Sequence, residues 1–433
     1  MEYTGILVLV ISFVVLLALG TPIAYAIGIS GVLTMLTSMA YLPAFTTFAQ
    51  RMATGLDSFS LLAIPFFILA GQIMNKGGIA IRLIEFAKVL VGWLPGGLAF
   101  VNIMANILFG AISGSAAAAA SGIGSIMHPR MKEEGYDDSY SAAVNITSAT
   151  IGLTIPPSNI LIVYSLSSGG VSIAALFLAG YVPGLLTGLF LMIVGGVIAY
   201  RKGYKVSDEK ITLRYGVKRF IGALPSLLLL IVVIGGIVKG VFTATEASAI
   251  AVLYCAVLAI IYNELKWRDI STLVINTVNT TAMVLLLVAT SIGLSWIMSY
   301  ENIPQNVSAG LLSLSDNPFV ILLIINFILL FVGIFMDMTP AVLIFTPIFL
   351  PIVTVQLGMD PVHFGIIMVL NLSVGLCTPP VGSVLFIGCS VANVKIQDVV
   401  KPMIPFFIAM IVALLLVTYL PQLALWLPES FGY

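Results

Sequence analysis

Apolar residues fall in runs at about 5–20, 22–40, 58–75, 139–165, 173–200, 221–238, 246–263, 272–299, 363–390 and 402–421. A bilayer crossing needs about 20 apolar residues in a helix, so each run predicts a membrane helix. Two further runs, 97–127 and 319–353, are broken at their centres by Gly, Ser, Asp, Thr or Pro. Two stretches, 76–95 and 300–316, are less apolar. In the first, NKGGIAIRLIEFAKVLVGWL, the spacing of Arg82, Glu85 and Lys88 predicts an amphipathic helix along the membrane surface. The alternating ten-residue pattern of an outer-membrane barrel is missing. The expected fold is an all-α polytopic membrane protein.

Composition agrees. Of 433 residues, 60% are apolar and 8% charged, against roughly a quarter charged in soluble domains. The formal net charge is zero, and no basic, aromatic-interleaved segment suggests nucleic acid. Cys255, Cys377 and Cys389 lie in apolar segments without metal-ligand spacing and read as small buried hydrophobes. The first twenty residues carry Glu2 and no basic region, so they read as a first membrane helix and not a cleaved signal.

Charge orients the chain. Seven of its eighteen Lys and Arg lie in the loop 201–219, and basic loops stay cytoplasmic. Treating 97–127 and 319–353 as hairpins that enter and leave on one side puts nine more inside: Lys76, Arg82, Lys88, Arg130, Lys132, Lys266, Arg268, Lys395 and Lys401. Only Arg51 and Lys239 remain outside, and both termini come out periplasmic. The first hairpin opens to the cytoplasm and the second to the far side.

The segments GLTIPPSNI (152–160) and GLCTPPVGS (375–383) lie 223 residues apart, and the same offset aligns Gly110 with Gly333 at the centres of the broken runs. An offset of 224 aligns GQIMNKGGI (71–79) with SWIMSYENI (295–303). Each half thus carries five crossings and one hairpin. Five is odd, so the halves, 1–220 and 221–433, form an inverted repeat, the plan of many secondary transporters. The broken helices are 139–165 and 363–390.

A proline inside a helix removes an N–H and clashes with the carbonyl four residues back. Irregular backbone persists in a membrane only where protein or a polar cavity satisfies it, and converging carbonyls suit a small hard cation. Each half can build one cation site from hairpin tip plus break. Ser113, Gly114 and Ser115 form the first tip, before the alanine arm that starts at Ala116, whose helix N-terminus can face an anion. Asp337, Thr339 and Pro340 form the second. A substrate carboxylate fits between the tips, within reach of Ser158 and Asn159. Each feature also has a structural reading: a packing kink at the prolines, close helix packing at the serines and alanines, a helix-capping role for Asp337. The symmetric second copy favours the functional one. Asp337 is the one acid that must lie deep in the membrane, which makes it a functional candidate. Glu246 reads as a helix N-terminal residue, and His128 and His363 as hairpin-exit residues without a ligand role.

The segments FSLLAIPFFILAGQIMNKGGIA (59–80), FGAISGSAAA (109–118), GLTIPPSNI, VFTATEA, FMDMTPAVLIFTPIFLPI and GLCTPP resemble, in order and over essentially the whole chain, the large membrane subunit of tripartite ATP-independent periplasmic (TRAP) transporters. That resemblance implies an inner-membrane secondary transporter driven by sodium. An organic acid is delivered by a periplasmic substrate-binding protein, and a small four-helix membrane subunit, expected as a separate chain, buttresses an elevator-type large one. The family's sodium sites carry over to Ser113, Ser115, Gly152, Ile155 and Pro157, and to Gly333, Asp337, Thr339, Gly375, Thr378 and Pro380. Substrate contacts carry over to Ser115, Ala116, Ser158, Asn159, Thr339 and Pro340. No cofactor beyond sodium is expected. The tip departs from the family's SGSAVADT-type pattern, with AAAAAS instead. The substrate class is a carboxylate (sialic acid, a C4-dicarboxylate or a sugar acid), and the motifs look closest to the sialic-acid branch.

The main alternative is a proton-coupled carrier working without a binding protein, with Asp337 carrying the proton. An intramembrane aspartyl protease needs a second deep aspartate and a zinc protease an HExxH-like motif, neither of which is present, and a serine protease needs a buried histidine partner, whereas both histidines sit at segment ends. A channel fits two opposed hairpins less well than alternating access.

Overall fold

The computed structural model describes residues 4–204 and 213–433, Leu213 by its backbone alone. Lys205 and Lys210 of the basic loop lie outside the described residues. Among those described, regular structure is helical throughout. Eight helices among the described residues are long and apolar enough to cross a membrane, from Phe59–Lys76 to Ile396–Tyr419. Two amphipathic helices without a counterpart in the apolar runs also appear, Tyr41–Leu56 and Gln422–Ser430. Helix Ile79–Val91 follows its amphipathic pattern, burying Leu83, Ile84 and Ala87.

Helices Gly97–Ser113 and Ala116–Glu133 meet at a two-residue turn, as do Pro318–Phe335 and Met338–Pro351. Behind each pair lies a helix interrupted at its double proline. Asp138–Ala149 tightens into a 3-10 turn, Thr150–Leu153, and helix resumes only at Asn159. Pro361–Gly375 ends before the prolines, and helix resumes at Ser383. Both Pro–Pro bonds are cis.

Glycine sets how closely each pair of helices approaches its broken neighbour. A Cβ on Gly110 would sit 2.4 Å from the Cα of Gly152, and one on Gly375 would sit 2.6 Å from the Cα of Gly333. Backbone meets backbone at both places, with no room for a methyl group.

Buried asparagines tie the same elements together. Asn106 Nδ2 donates to Asn102 Oδ1 (2.8 Å), Asn145 Oδ1 (3.2 Å) and Ser148 Oγ (2.8 Å). In the second half, Asn371 Nδ2 donates to the Asn326 carbonyl (2.9 Å) and Oδ1 (2.8 Å), while Asn326 reaches Thr418 Oγ1 (3.2 Å). Such bonds offset the large cost of burying an amide. The halves interlock as well: Tyr164 Oη donates to the Pro361 carbonyl at 2.6 Å, and Cys377 Sγ lies 3.5 Å from the Ile146 carbonyl. All three cysteines are free and buried.

Several ion pairs gather at one end. Lys76 pairs with Asp269 (2.7 Å), Arg130 and Arg219 with Glu85 (2.9 and 3.5 Å), and Lys132 with Asp138 (2.7 Å). Arg82 lies over the Tyr262 ring. Helix Trp267–Tyr300 has 34 residues, so it runs about 50 Å from this end to the other. There Trp296 receives Arg51. The N-terminal helix reaches this far end, with Gly5 beside the Glu301 carboxylate. Tyr433 donates to the carbonyl of Val238, next to Lys239. Outward faces are apolar stripes at four-residue spacing: Leu185, Leu189, Ile193 and Val197 on one helix, Leu323, Phe327, Phe331 and Phe335 on another. Lipid tolerates such faces and water does not.

Candidate functional site

The first tip is built by Gly114, whose φ of +59° is left-handed, a conformation glycine adopts without steric cost. It reverses the chain in two residues and brings the tip onto the break, since a Cβ there would lie 2.8 Å from the Pro157 carbonyl oxygen. Ser115 then caps the alanine helix, its hydroxyl accepting from Ala118 N at 3.3 Å. This leaves other N–H groups of the first turn pointing outward. Ser113 is buried, and its Oγ accepts from Ser115 N at 3.5 Å.

Ser158 acts inside the break. Its hydroxyl donates to the Leu153 carbonyl at 2.5 Å and the residue is fully buried, so it closes the interruption and stands back from open space. Asn159, the next residue, presents a buried Oδ1 with no hydrogen-bond partner. Ile155 packs its side chain against Gly184.

In the second half Asp337 occupies the N-cap position of Met338–Pro351 without making a side-chain cap bond. Its carboxylate instead accepts from Ser383 Oγ at 3.2 Å, a residue at the start of the helix that resumes after the second break. Thr378 donates to Val374 O at 2.7 Å, and the Leu376 carbonyl accepts from Val384 N and Leu385 N (3.2 and 3.4 Å). Pro340 is buried and Pro380 exposed.

Both tips and both resumed helices open onto one cavity of about 270 Å³. It brings together Ser113, Ser115, Ala116, Asn159, Asp337 and Thr339 of the residues singled out from the sequence. Gly152, Ile155, Pro157, Ser158, Gly333, Pro340, Gly375, Thr378 and Pro380 do not line it. Sequence reasoning missed Gln72, Asn75, Thr280 and Ser383, which do line it. Gln72 and Asn75 stand three residues apart on Ala63–Lys76, a helix otherwise apolar until Lys76; that isolated polar pair was the available signal. Thr280 returns its hydroxyl proton to Asn276 O (2.9 Å) and offers its lone pairs outward.

No cluster of three or more His, Cys, Asp or Glu able to hold a metal ion occurs among the described residues. His363 bonds the Val417 carbonyl (2.7 Å), and His128 faces Asp138 (3.4 Å). The donors around the tips are hydroxyls, carbonyls and one carboxylate, which suit a hard monovalent cation.

A second, water-sized cavity of about 10 Å³ lies between the halves, lined by Thr150, Ile151, Thr154, Thr187, Leu370, Ser373, Val374 and Met410. The 223-residue offset pairs Thr150 with Ser373, Ile151 with Val374, and Thr187 with Met410.

The sequence profile of the family described as "Tripartite ATP-independent periplasmic transporter, DctM component" matches residues 10–423. The chain is a TRAP transporter large permease. It is similar to the uncharacterized protein YgiK of Salmonella typhimurium (56% identical, covering 99% of this chain and 98% of the relative). It is 41% identical to the sialic acid TRAP transporter large permease SiaM of Vibrio cholerae (89% and 90% covered). It is 37% identical to the C4-dicarboxylate TRAP transporter large permease DctM of Rhodobacter capsulatus (97% and 98%). In fold it is similar to the YdaH transporter of Alcanivorax borkumensis, with a TM-score of 0.64 at 13% identity over 89% of this chain and 88% of that one. The permease is accordingly a multi-pass protein of the bacterial inner membrane and not an enzyme.

Proposed function

We propose that this permease carries out sodium-coupled secondary transport of an organic acid, received from a periplasmic binding protein and moved with the help of a small four-helix membrane subunit. The observation that carries the reading is the single cavity into which both hairpin tips and both resumed helices converge. A helix N-terminus facing that cavity suits a carboxylate, and hydroxyl and carbonyl oxygens at tip and break suit sodium. Relatives named for sialic acid, C4-dicarboxylate and 2,3-diketo-L-gulonate uptake support the organic-acid class.

In this reading the chain is an inverted repeat, 1–220 and 221–433, with re-entrant hairpins at the two tips. Support comes from the paired glycine contacts and from the small cavity whose walls obey the repeat offset. The charged end faces the cytoplasm, which puts both termini in the periplasm. Hairpins and broken helices move together as an elevator against the long helices. Sodium binding orders tip and break first and so creates the carboxylate site, while a charged, half-loaded site is held back by the cost of moving charge through lipid.

Uptake into proteoliposomes holding the permease and its small subunit tests this. It should require an inward sodium gradient and the loaded binding protein. Uptake driven by a pH gradient alone, or undiminished without the binding protein, would replace this reading with the proton-coupled one. Ser115→Ala and Thr378→Ala should each raise the sodium concentration for half-maximal uptake about 3- to 10-fold, as expected for losing one ligand bond; an unchanged sodium curve in both would remove these residues from the cation sites.

A further inference from the structure

The cavity's charge inventory narrows the substrate. This step rests on the reading of that cavity as the transport site. Among the described residues that line it Asp337 is the only ionisable one; no described Lys, Arg or His reaches it. With one sodium in each half, two positive charges meet one negative charge, and the loaded cavity carries a net charge of plus one. A monocarboxylate brings it to zero. A dicarboxylate leaves it at minus one and sets its second carboxylate in a wall that has no cation to receive it. Burying an unpaired charge is the more expensive outcome by a wide margin.

The rest of the polar lining says what else the substrate carries. Gln72 and Asn75 share one face of helix Ala63–Lys76, both line the cavity, and neither makes a side-chain hydrogen bond among the described residues. Asn159 adds a buried Oδ1 without a partner, and Thr280 offers hydroxyl lone pairs. Amides donate and accept at once, which hydroxyl groups match in full, whereas a second carboxylate, an acceptor only, would use the N–H donors and leave the amide oxygens unmet. The Asp337 carboxylate likewise accepts from hydroxyls, as it does from Ser383. The remaining lining is apolar or small: Ile64, Ile68, Ala117, Val163, Val284.

We propose that the permease takes a monocarboxylate bearing several hydroxyl groups, an acidic sugar, with its carboxylate on the N-terminal turn at Ser115–Ala118 and its hydroxyls on Gln72, Asn75 and Asn159, and that it rejects small dicarboxylates. Gln72 and Asn75 are the specificity-determining residues on the helix that the tips face.

Thermal stabilisation of the purified complex of permease and small subunit tests this without the binding protein's own selectivity. The probes are gluconate, galacturonate and N-acetylneuraminate against succinate and malate, each with sodium or with potassium in its place. At least one polyhydroxy acid should stabilise the complex in sodium only, and neither dicarboxylate should. The near-isosteric Gln72→Met with Asn75→Leu should weaken that response tenfold or more while leaving the sodium-only melting shift unchanged. Stabilisation by succinate or malate and not by the sugar acids overturns the substrate assignment while leaving the transport site in place. Unchanged sugar-acid binding in the double variant overturns the roles of Gln72 and Asn75. Failure of sodium itself to shift melting overturns the underlying reading of the cavity, and this proposal with it. A double variant that melts early is replaced by Gln72→Glu, whose added negative charge should abolish the sugar-acid response.

Discussion

Under the proposed sodium coupling, Asp337→Asn should lower uptake by about 100-fold at physiological sodium, with protein levels and melting temperature in the membrane preserved. The carboxylate is the one charged group lining the cavity among the described residues. An interaction with a charged partner is worth about 1.5–3 kcal/mol, and each 1.36 kcal/mol is a factor of ten. Asn keeps shape and volume, and its amide still has Ser383 Oγ beside it, so packing survives while the charge is lost. The deficit should shrink as sodium is raised, because a weakened site can still be filled by mass action. Sodium titration of counterflow distinguishes this from a folding defect. Normal uptake with an unshifted sodium curve would assign Asp337 to hairpin geometry alone.

The second large effect is structural. Gly110→Ala and Gly375→Ala should each destabilise the permease by about 3 kcal/mol or more, at or above the upper range for overpacking, because each new methyl would fall within 2.6 Å of backbone that has nowhere to move. Retained yield after solubilisation and the midpoint of thermal unfolding check it. Gly222→Ala, where a Cβ would meet nothing within 4 Å, is the matched control and should behave as wild type. Equal melting of all three would mean that the two close approaches relax freely.

Much of this was legible in the chain. The lengths of apolar runs announce helices, because lipid leaves the backbone no other partner. The double prolines mark where helices stop, because proline cannot donate. The tip glycine and serines were readable for the same kind of reason: a two-residue reversal needs a left-handed residue, and a capped helix start needs a hydroxyl. What stayed hidden was direction. Ser158 and Asn159 are adjacent polar residues after one break and look equivalent in sequence. Only the folded backbone turns the first toward the Leu153 carbonyl and the second toward the cavity. Gln72 and Asn75 stand out locally only as an isolated polar pair; that they line the same cavity as the tip at Asp337, more than 200 residues on, no local pattern encodes. The amphipathic helix Tyr41–Leu56 escaped because it is too polar for a crossing and follows directly on an apolar run.

The water-sized hollow ringed by Thr150 and Ser373 has walls drawn from both sides of the chain's midpoint, and neither side encloses it alone. A gene cut between the two would therefore yield fragments that each carry a raw, hydroxyl-studded seam into the bilayer. Neither should persist by itself, yet co-expressed they should find each other, because each supplies the wall that the other lacks.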